Sequence, residues 1–280
     1  MDTSVDARSR PEAATVATPA AEDRPESTVG VASSDVAEDG AGGAGPFGKE
    51  PRAEDGSGYE ADTLLAVRHG PHEGFERVVL DLGAGEEPAE EVPRWTLDAP
   101  EGDVLLRVNL PSANATAVSD GGLRDGLLNS FHVVRAPEGG LFVEVLARKG
   151  FRYRVLELAE PARLVVDFRP AGARPKEPPP AEGGQTVLVE PRAGAGISDP
   201  LTVSGYSRNF EAANTIVLND ERGKTLVRET VIANDCSSTW GYFEATLDLP
   251  SLPEKGTLSV GTRSVRDGSF EGVEIPVRGG

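Results

Sequence analysis

Leu141-Phe142-Val143-Glu144-Val145-Leu146-Ala147, followed by Arg148-Lys149-Gly150 and then Phe151-Arg152-Tyr153-Arg154-Val155, is the stretch that decides the fold class. In the first run Leu141, Val143 and Val145 alternate with Phe142, Glu144 and Leu146; in the second Phe151, Tyr153 and Val155 alternate with Arg152 and Arg154. Successive side chains of a strand point to opposite faces, so a period of two marks a strand, whereas a helix repeats every 3.6 residues. Two such runs across a short glycine turn predict a β-hairpin.

The same texture extends outward in both directions. Leu64, Leu65 and Val67 open a strand, Arg77 to Leu82 gives another, and Arg163 to Phe168 (RLVVDF) a closing one. Ser119 to Leu128 is the one candidate helical turn, short and broken by glycine, so residues 59–170 are predicted to form an essentially all-β domain. Residues 171–185 contain Pro178-Pro179-Pro180, which favours a stiff, extended spacer. From Thr186 to Val277 about seven strands recur in about ninety residues with turn signals between them, the count and spacing of an immunoglobulin-like sandwich over residues 186–278. Residues 1–58 are rich in Ala, Glu, Asp, Gly, Pro and Ser. With few large apolar side chains they cannot offset their ordering entropy, and are expected to be a disordered acidic tether. The expected fold class is therefore all-β, two β-sandwich domains behind that tail.

Composition narrows the function. The formal net charge is −18 with 28 Lys and Arg against 46 Asp and Glu, and no basic run is present to displace counterions from phosphates, which argues against nucleic acid as a partner. A neutral, polyhydroxylated or protein partner fits better. Cys236 is the one cysteine, so no intrachain disulfide forms, and a half-buried small hydrophobe is the simplest role for it. No stretch reaches the ~20 apolar residues that span a bilayer. The opening MDTSVDARSRPEAATVATPAAEDRPE has no apolar segment, so no signal peptide is visible and an envelope location would require an export signal upstream.

Two family resemblances emerge from particular residues. Ile197-Ser198-Asp199-Pro200-Leu201-Thr202-Val203-Ser204-Gly205, Asn209-Phe210-Glu211-Ala212, Gly241-Tyr242-Phe243-Glu244-Ala245, Arg266-Asp267-Gly268-Ser269 and Val273-Glu274-Ile275-Pro276-Val277 occur in order. This segment resembles the Gmad2 domain, an immunoglobulin-like module of sporulation- and germination-associated envelope proteins of bacteria. Physically these positions read as structural: Pro200 opens a strand, Asp267-Gly268 makes a tight turn, and Phe210 and Phe243 are expected core anchors. Val67-Arg68, His72-Glu73-Gly74-Phe75-Glu76-Arg77-Val78-Val79 and Arg163-Leu164-Val165-Val166-Asp167-Phe168 make the middle segment similar to the AMIN-like domain, a β-sandwich of actinobacterial envelope proteins, with Glu76 where that family usually has Asp. AMIN domains proper bind peptidoglycan or other wall components, so the resemblance implies a wall-binding module.

No catalytic constellation stands out. His69 and His72 flank Gly70-Pro71, which prevents a helix from bringing them to one face, and no third ligand lies at metal-site spacing; a turn histidine capping a backbone group is expected instead. Glu86-Glu87 and Glu90-Glu91 sit in a Gly- and Pro-flanked loop and read as a solvated face. No Gly-x-Ser-x-Gly elbow or phosphate loop is present, and no cofactor is implied. For binding, Trp95, Trp240 and Tyr242 could stack on a sugar ring, although an aromatic in a sandwich more often belongs to the core. Arg152 and Arg154 share one face of a strand and could grip a peptide-stem carboxylate, or simply pair with the chain's own acids. The expectation is a non-enzymatic envelope protein whose modules bind cell-wall glycan or peptide, or an envelope protein. The alternatives are an assembly protein of sporulation or germination, and an undetected hydrolase in the middle domain.

Overall fold

Strands account for nearly all of the regular structure in the computed structural model, which describes residues 46–48, 52–54, 56–99, 104–123, 126–172, 174–264 and 266–280. All of these lie in one compact unit, Val31–Gly280. Most of the expected disordered tail falls outside the described residues. The first half carries β1 (Arg52–Glu54), β2 (Thr63–His72), β3 (Phe75–Ala84), β4 (Glu87–Pro88), β5 (Trp95–Asp98), β6 (Leu105–Leu110), β7 (Ala115–Thr116), β8 (Asp120–Gly122), β9 (Leu128–Arg135), β10 (Leu141–Ala147), β11 (Phe151–Leu158) and β12 (Arg163–Pro170). The second carries β13 (Ala181–Gly183), β14 (Thr186–Glu190), β15 (Gly196–Ile197), β16 (Leu201–Ser207), β17 (Ala213–Asp220), β18 (Thr225–Ile232), β19 (Trp240–Leu247), β20 (Gly256–Arg263) and β21 (Phe270–Gly279). Among the described residues the only helical element is a 3-10 turn, Phe210–Ala212.

In the first half the sheet β11-β12-β3-β2-β7 faces β5-β6-β10-β9. Leu80, Val166 and Phe168 from one side meet Leu106, Val133 and Val143 from the other in a common core. In the second half β19-β16-β14-β13 faces β15-β21-β20-β17-β18, with Val203 and Phe243 packed against Ile216, Leu218, Val260 and Ile275. The chain is all-β, and its sheets stack as sandwiches.

The predicted hairpin is not one. Strand β10 pairs with β6 and β9, whereas β11 pairs with β12 in the opposite sheet, so Arg148-Lys149-Gly150 is a corner that carries the chain from one layer to the other. Alternation reports which face of a strand is buried and says nothing about which strand lies beside it. The predicted helical turn at Ser119–Leu128 contains β8, paired with β9. Gly121 there lies so close to the Phe131 ring that a Cβ would meet it at 2.5 Å, so glycine serves a close approach that a helix would not offer.

Two further expectations are corrected by local geometry. Phe243 is buried, but Phe210 is 71% exposed. Glu211 and Ala212 adopt left-handed backbone (φ 55 and 57), which turns Phe210 outward and Ala212 into the core. The anchor of this turn is Asn209, whose amide donates to Thr186 Oγ1 (2.9 Å) and Asn214 Oδ1 (2.7 Å) in a buried network. His69 and His72 lie within strand β2, not in a turn. His69 Nε2 is 2.9 Å from Glu76 Oε2, and His72 stacks on Phe75 at 4.7 Å.

The two halves meet through a short parallel pairing, Trp240 with Val134 and Gly241 with Arg135, which links their inner sheets into one ten-stranded sheet. The segment expected to be a spacer ends in strand β13, paired with β14, and the Pro178 carbonyl accepts from Arg192 Nη1 at 3.2 Å. Glu182 in β13 reaches back to accept from Asn129 Nδ2 (3.0 Å) in the first half.

Candidate functional site

Arginines far apart in sequence converge on the outer face of the β11-β12-β3-β2 sheet. Inward positions of these strands hold the core residues Val155, Val166, Phe168, Val78 and Leu80. The alternate positions therefore place Arg68, Arg77, Arg152, Arg154, Arg163 and Arg169 on the other side, with Asp81 and Asp167 among them. This face is net positive in a chain of net charge −18, so the remainder is more acidic still. Asp167 is fully buried and is the organising group. It accepts from Arg77 Nε (2.7 Å) and Nη2 (3.0 Å) and from Arg154 Nε (2.8 Å). Asp81 takes both Nε and Nη2 of Arg68, at 2.6 and 2.7 Å.

Three arginines are left over, and one of them, Arg163, donates Nε to the Pro161 carbonyl oxygen at 3.3 Å. The register sets Arg152 directly opposite Arg169, a like-charge pair that costs stability, and neither meets a carboxylate among the described residues. Both are exposed. Aromatic rings line the same patch. Phe47 lies under the guanidinium groups of Arg154 (4.7 Å) and Arg169 (4.6 Å), and Phe75 under those of Arg154 (5.2 Å) and Arg77 (5.5 Å). Phe47 reaches the patch because Gly48 bridges to Tyr153 at the edge of β11. The result is a preorganised cationic platform whose rim carries two guanidinium groups that meet no carboxylate among the described residues, suited to carboxylate recognition.

The sequence holds no basic run that marks this face. Each strand contributes one or two arginines at outward positions, and only the register gathers them. Arg152 and Arg154 do share one face, as expected, but they differ in environment: Arg154 is held by Asp167, and Arg152 has no ion pair among the described residues.

The other three candidates lie elsewhere. Trp95 is 1% exposed and donates Nε1 to Glu157 Oε1 at 2.5 Å, so its ring face is inside the first core and cannot stack on a ligand. Trp240 and Tyr242 sit where the two halves meet. Trp240 is 5% exposed, packs edge-on to His132 (4.7 Å) and Tyr206 (5.7 Å), and donates Nε1 to Asp120 Oδ2 at 3.0 Å. Val134, Phe142, Val187, Tyr206 and Trp240 form a third apolar cluster, with Tyr242 against its edge and donating to Glu244 Oε2. Beside it Glu144 is fully buried and accepts from Arg107 Nη2 (2.7 Å), whose guanidinium lies 4.1 Å over Phe142. Strand β10 is thus covered on both faces, which explains why Phe142 and Glu144 are as hidden as Val143.

Burial holds the His132 imidazole down at a pKa of about 4, only partly offset by the nearby Asp120 carboxylate. Against the upward push of burial, hydrogen bonds from Trp240 and Ser119, with His132 and Arg208 close by, keep Asp120 below the ordinary carboxylate range. A histidine whose folded pKa lies below its unfolded value of 6.5 costs nothing above pH 6.5. As pH falls from 6.5 toward 4 the unfolded chain takes up the proton first, and about 3 kcal/mol of stability is lost. Urea titrations between pH 7.5 and 4.5 should show this loss, and His132→Phe should flatten it. An unchanged slope in the variant would assign the loss to other groups. The Asp120 contribution falls below pH 3.8, outside this window.

Among the described residues no group of three or more His, Cys, Asp or Glu could hold a metal ion. Glu76, beside His69, also accepts from the backbone N–H groups of Leu127 and Leu128 and ties β3 to the loop before β9. Glu86, Glu87, Glu90 and Glu91 are exposed, and Cys236 is half-buried against the second core. No helix among the described residues is long and apolar enough to cross a membrane.

The second half is by its strands and packing an immunoglobulin-like sandwich. Residues 186–269 match the family model Gmad2, the immunoglobulin-like domain of bacterial spore germination. No family match supports the AMIN-like resemblance of the middle segment. No curated protein and no solved structure matches the chain.

Proposed function

We propose that this chain is a non-catalytic adaptor of the bacterial cell envelope, whose middle domain, residues 59–170, is an AMIN-like module that captures carboxylate-bearing wall material. The observation that carries the reading is the arginine face: Arg152 and Arg169 stand opposed with no carboxylate partner among the described residues, on a sheet already braced by Asp167. Peptide stems of peptidoglycan present spaced carboxylates that two guanidinium forks can hold bidentately. The Gmad2 match supports an envelope setting, and the joined sheets would hold the second domain, residues 186–278, at a set distance from the wall.

Sedimentation with purified peptidoglycan tests this on the full chain. The protein should be depleted from solution at low salt, less so as ionic strength rises. Arg152→Ala/Arg169→Ala should weaken depletion roughly tenfold or more, given what charge-assisted pairs contribute. Equal depletion of the variant, or none by the parent protein, would remove the arginine face from the account. A second reading, an assembly protein of sporulation or germination working through protein contacts, draws on the match of residues 186–269. It is favoured instead if the chain captures an envelope protein in the complete absence of wall material.

A further inference from the structure

The outer face of the five-stranded sheet in the second half is hollow. Its central strands β17 and β20 carry short outward side chains, Thr215 and Val217 on one and Ser259 on the other, which form a floor. The flanking strands carry long ones, Arg228 on β18 opposite Val217, and Glu274 on β21 opposite Ser259. Short residues in the middle and long ones at the margins make a trough of about 410 Å³, closed at one end by Arg263 and Phe270, which face each other across the last rung of β20 and β21. That volume seats a small ligand.

The lining is neither a core surface nor a solvated one. Phe270 is 38% exposed at the lip, an aromatic face open to solvent. Ser259 donates to Glu274 Oε1 at 2.9 Å, which orients the carboxylate and leaves its other oxygen for a ligand hydroxyl. The Asn219 side chain also lines the trough, held by Thr225 Oγ1, which donates to its Oδ1 at 2.9 Å. Arg228 has no carboxylate partner among the described residues, and Arg263 is steadied by the Gly268 carbonyl (2.9 Å). An aromatic plate beside alternating donors and acceptors matches a sugar ring, with one apolar face and a rim of hydroxyls. Two guanidinium groups against one carboxylate leave a single positive charge unanswered.

We infer that this trough is a second binding site, separate from the arginine face, and that its ligand is a saccharide carrying a carboxylate. The sugar stacks on Phe270, its hydroxyls meet Glu274 and Asn219, and its carboxylate meets Arg228. Such a sugar acid can come from a wall glycan, as N-acetylmuramic acid, or from a uronic-acid polysaccharide.

NMR titration of the full chain separates these sources. The probes are the peptide-free disaccharide of N-acetylglucosamine and N-acetylmuramic acid, a galacturonic acid trimer, and chitobiose as the uncharged control. Saturable shifts at residues of the trough with either acidic sugar, at least tenfold weaker with chitobiose, are expected, and whichever acid binds identifies the source. Arg228→Ala and Phe270→Ala should each weaken binding tenfold or more with an unchanged melting temperature, while Arg152→Ala/Arg169→Ala leaves it intact. No saturable binding of either acid, equal binding of chitobiose, or retention by both trough variants would overturn the inference. Because the probes lack peptide stems, failure here leaves the sedimentation result of the arginine face standing.

Discussion

Asp167→Asn should lower the stability of the chain by about 3 kcal/mol, read as a fall in the urea midpoint with an unchanged slope. The side chain keeps its size, so no cavity forms and the loss isolates charge. Asp167 is 0% exposed and serves two guanidinium groups at once, Arg77 through both oxygens and Arg154 through one. With the carboxylate gone, two cations face each other across β3 and β11 on a sheet where Arg152 and Arg169 already oppose each other. Breaking a buried pair costs about 3–5 kcal/mol. The lower end applies here because both arginines are partly open to water and recover some hydration. Arg154→Ala should cost much less, about 1 kcal/mol, because Arg77 retains its bidentate grip. An Asp167→Asn variant as stable as the parent would show that the network contributes no net free energy.

Trp240→Ala should be the most damaging single change at the meeting of the two halves, at about 3–5 kcal/mol. The indole fills the space between His132 and Tyr206 and satisfies Asp120, and its backbone is one of the two residues that pair β19 with β9. Gly241, the other, lies against Asp235, where a Cβ would come within 1.9 Å of the carbonyl oxygen, so the segment between β18 and β19 packs onto β19 only because that position is bare. Removing the indole leaves a hole in a cluster drawn from both halves. Hydrogen exchange should then quicken at the backbone amides of Val134 and Tyr206, and a single unfolding transition should split in two. Were the transition to stay single and shift by less than 1 kcal/mol, the apolar cluster would not be what couples the halves.

How much of this was legible in the sequence varies with the residue. The strands were, because alternation such as Phe151, Tyr153, Val155 against Arg152, Arg154 is a local property and follows from the pleat. Their partners were not: the β10–β11 corner has the composition of a hairpin, and only packing sends the two strands to different sheets. Phe210 shows the same limit. An isolated phenylalanine reads as core, but two left-handed residues after it reverse the pattern, and a buried asparagine does the anchoring. Of the candidate binding residues, Arg152 and Arg154 lie on an open face, while Trp95 and Trp240 are enclosed. Alternation implies one buried face for β10 and could not foresee that strands β14, β16 and β19 of the second half would cover the other.

By itself the sequence determined that the chain is all-β, where most of its strands fall, and that the segment from Thr186 onward has the strand pattern of an immunoglobulin-like sandwich. These are consequences of short-range pattern, in which each residue's neighbours along the chain decide which way it points. The tertiary structure alone decided that six scattered arginines share one face, that Trp240 lies between two halves, and that a trough opens above Ser259. Those arrangements depend on register and on which strands become neighbours, and both are set by the free energy of long-range packing, which is not written in any local window.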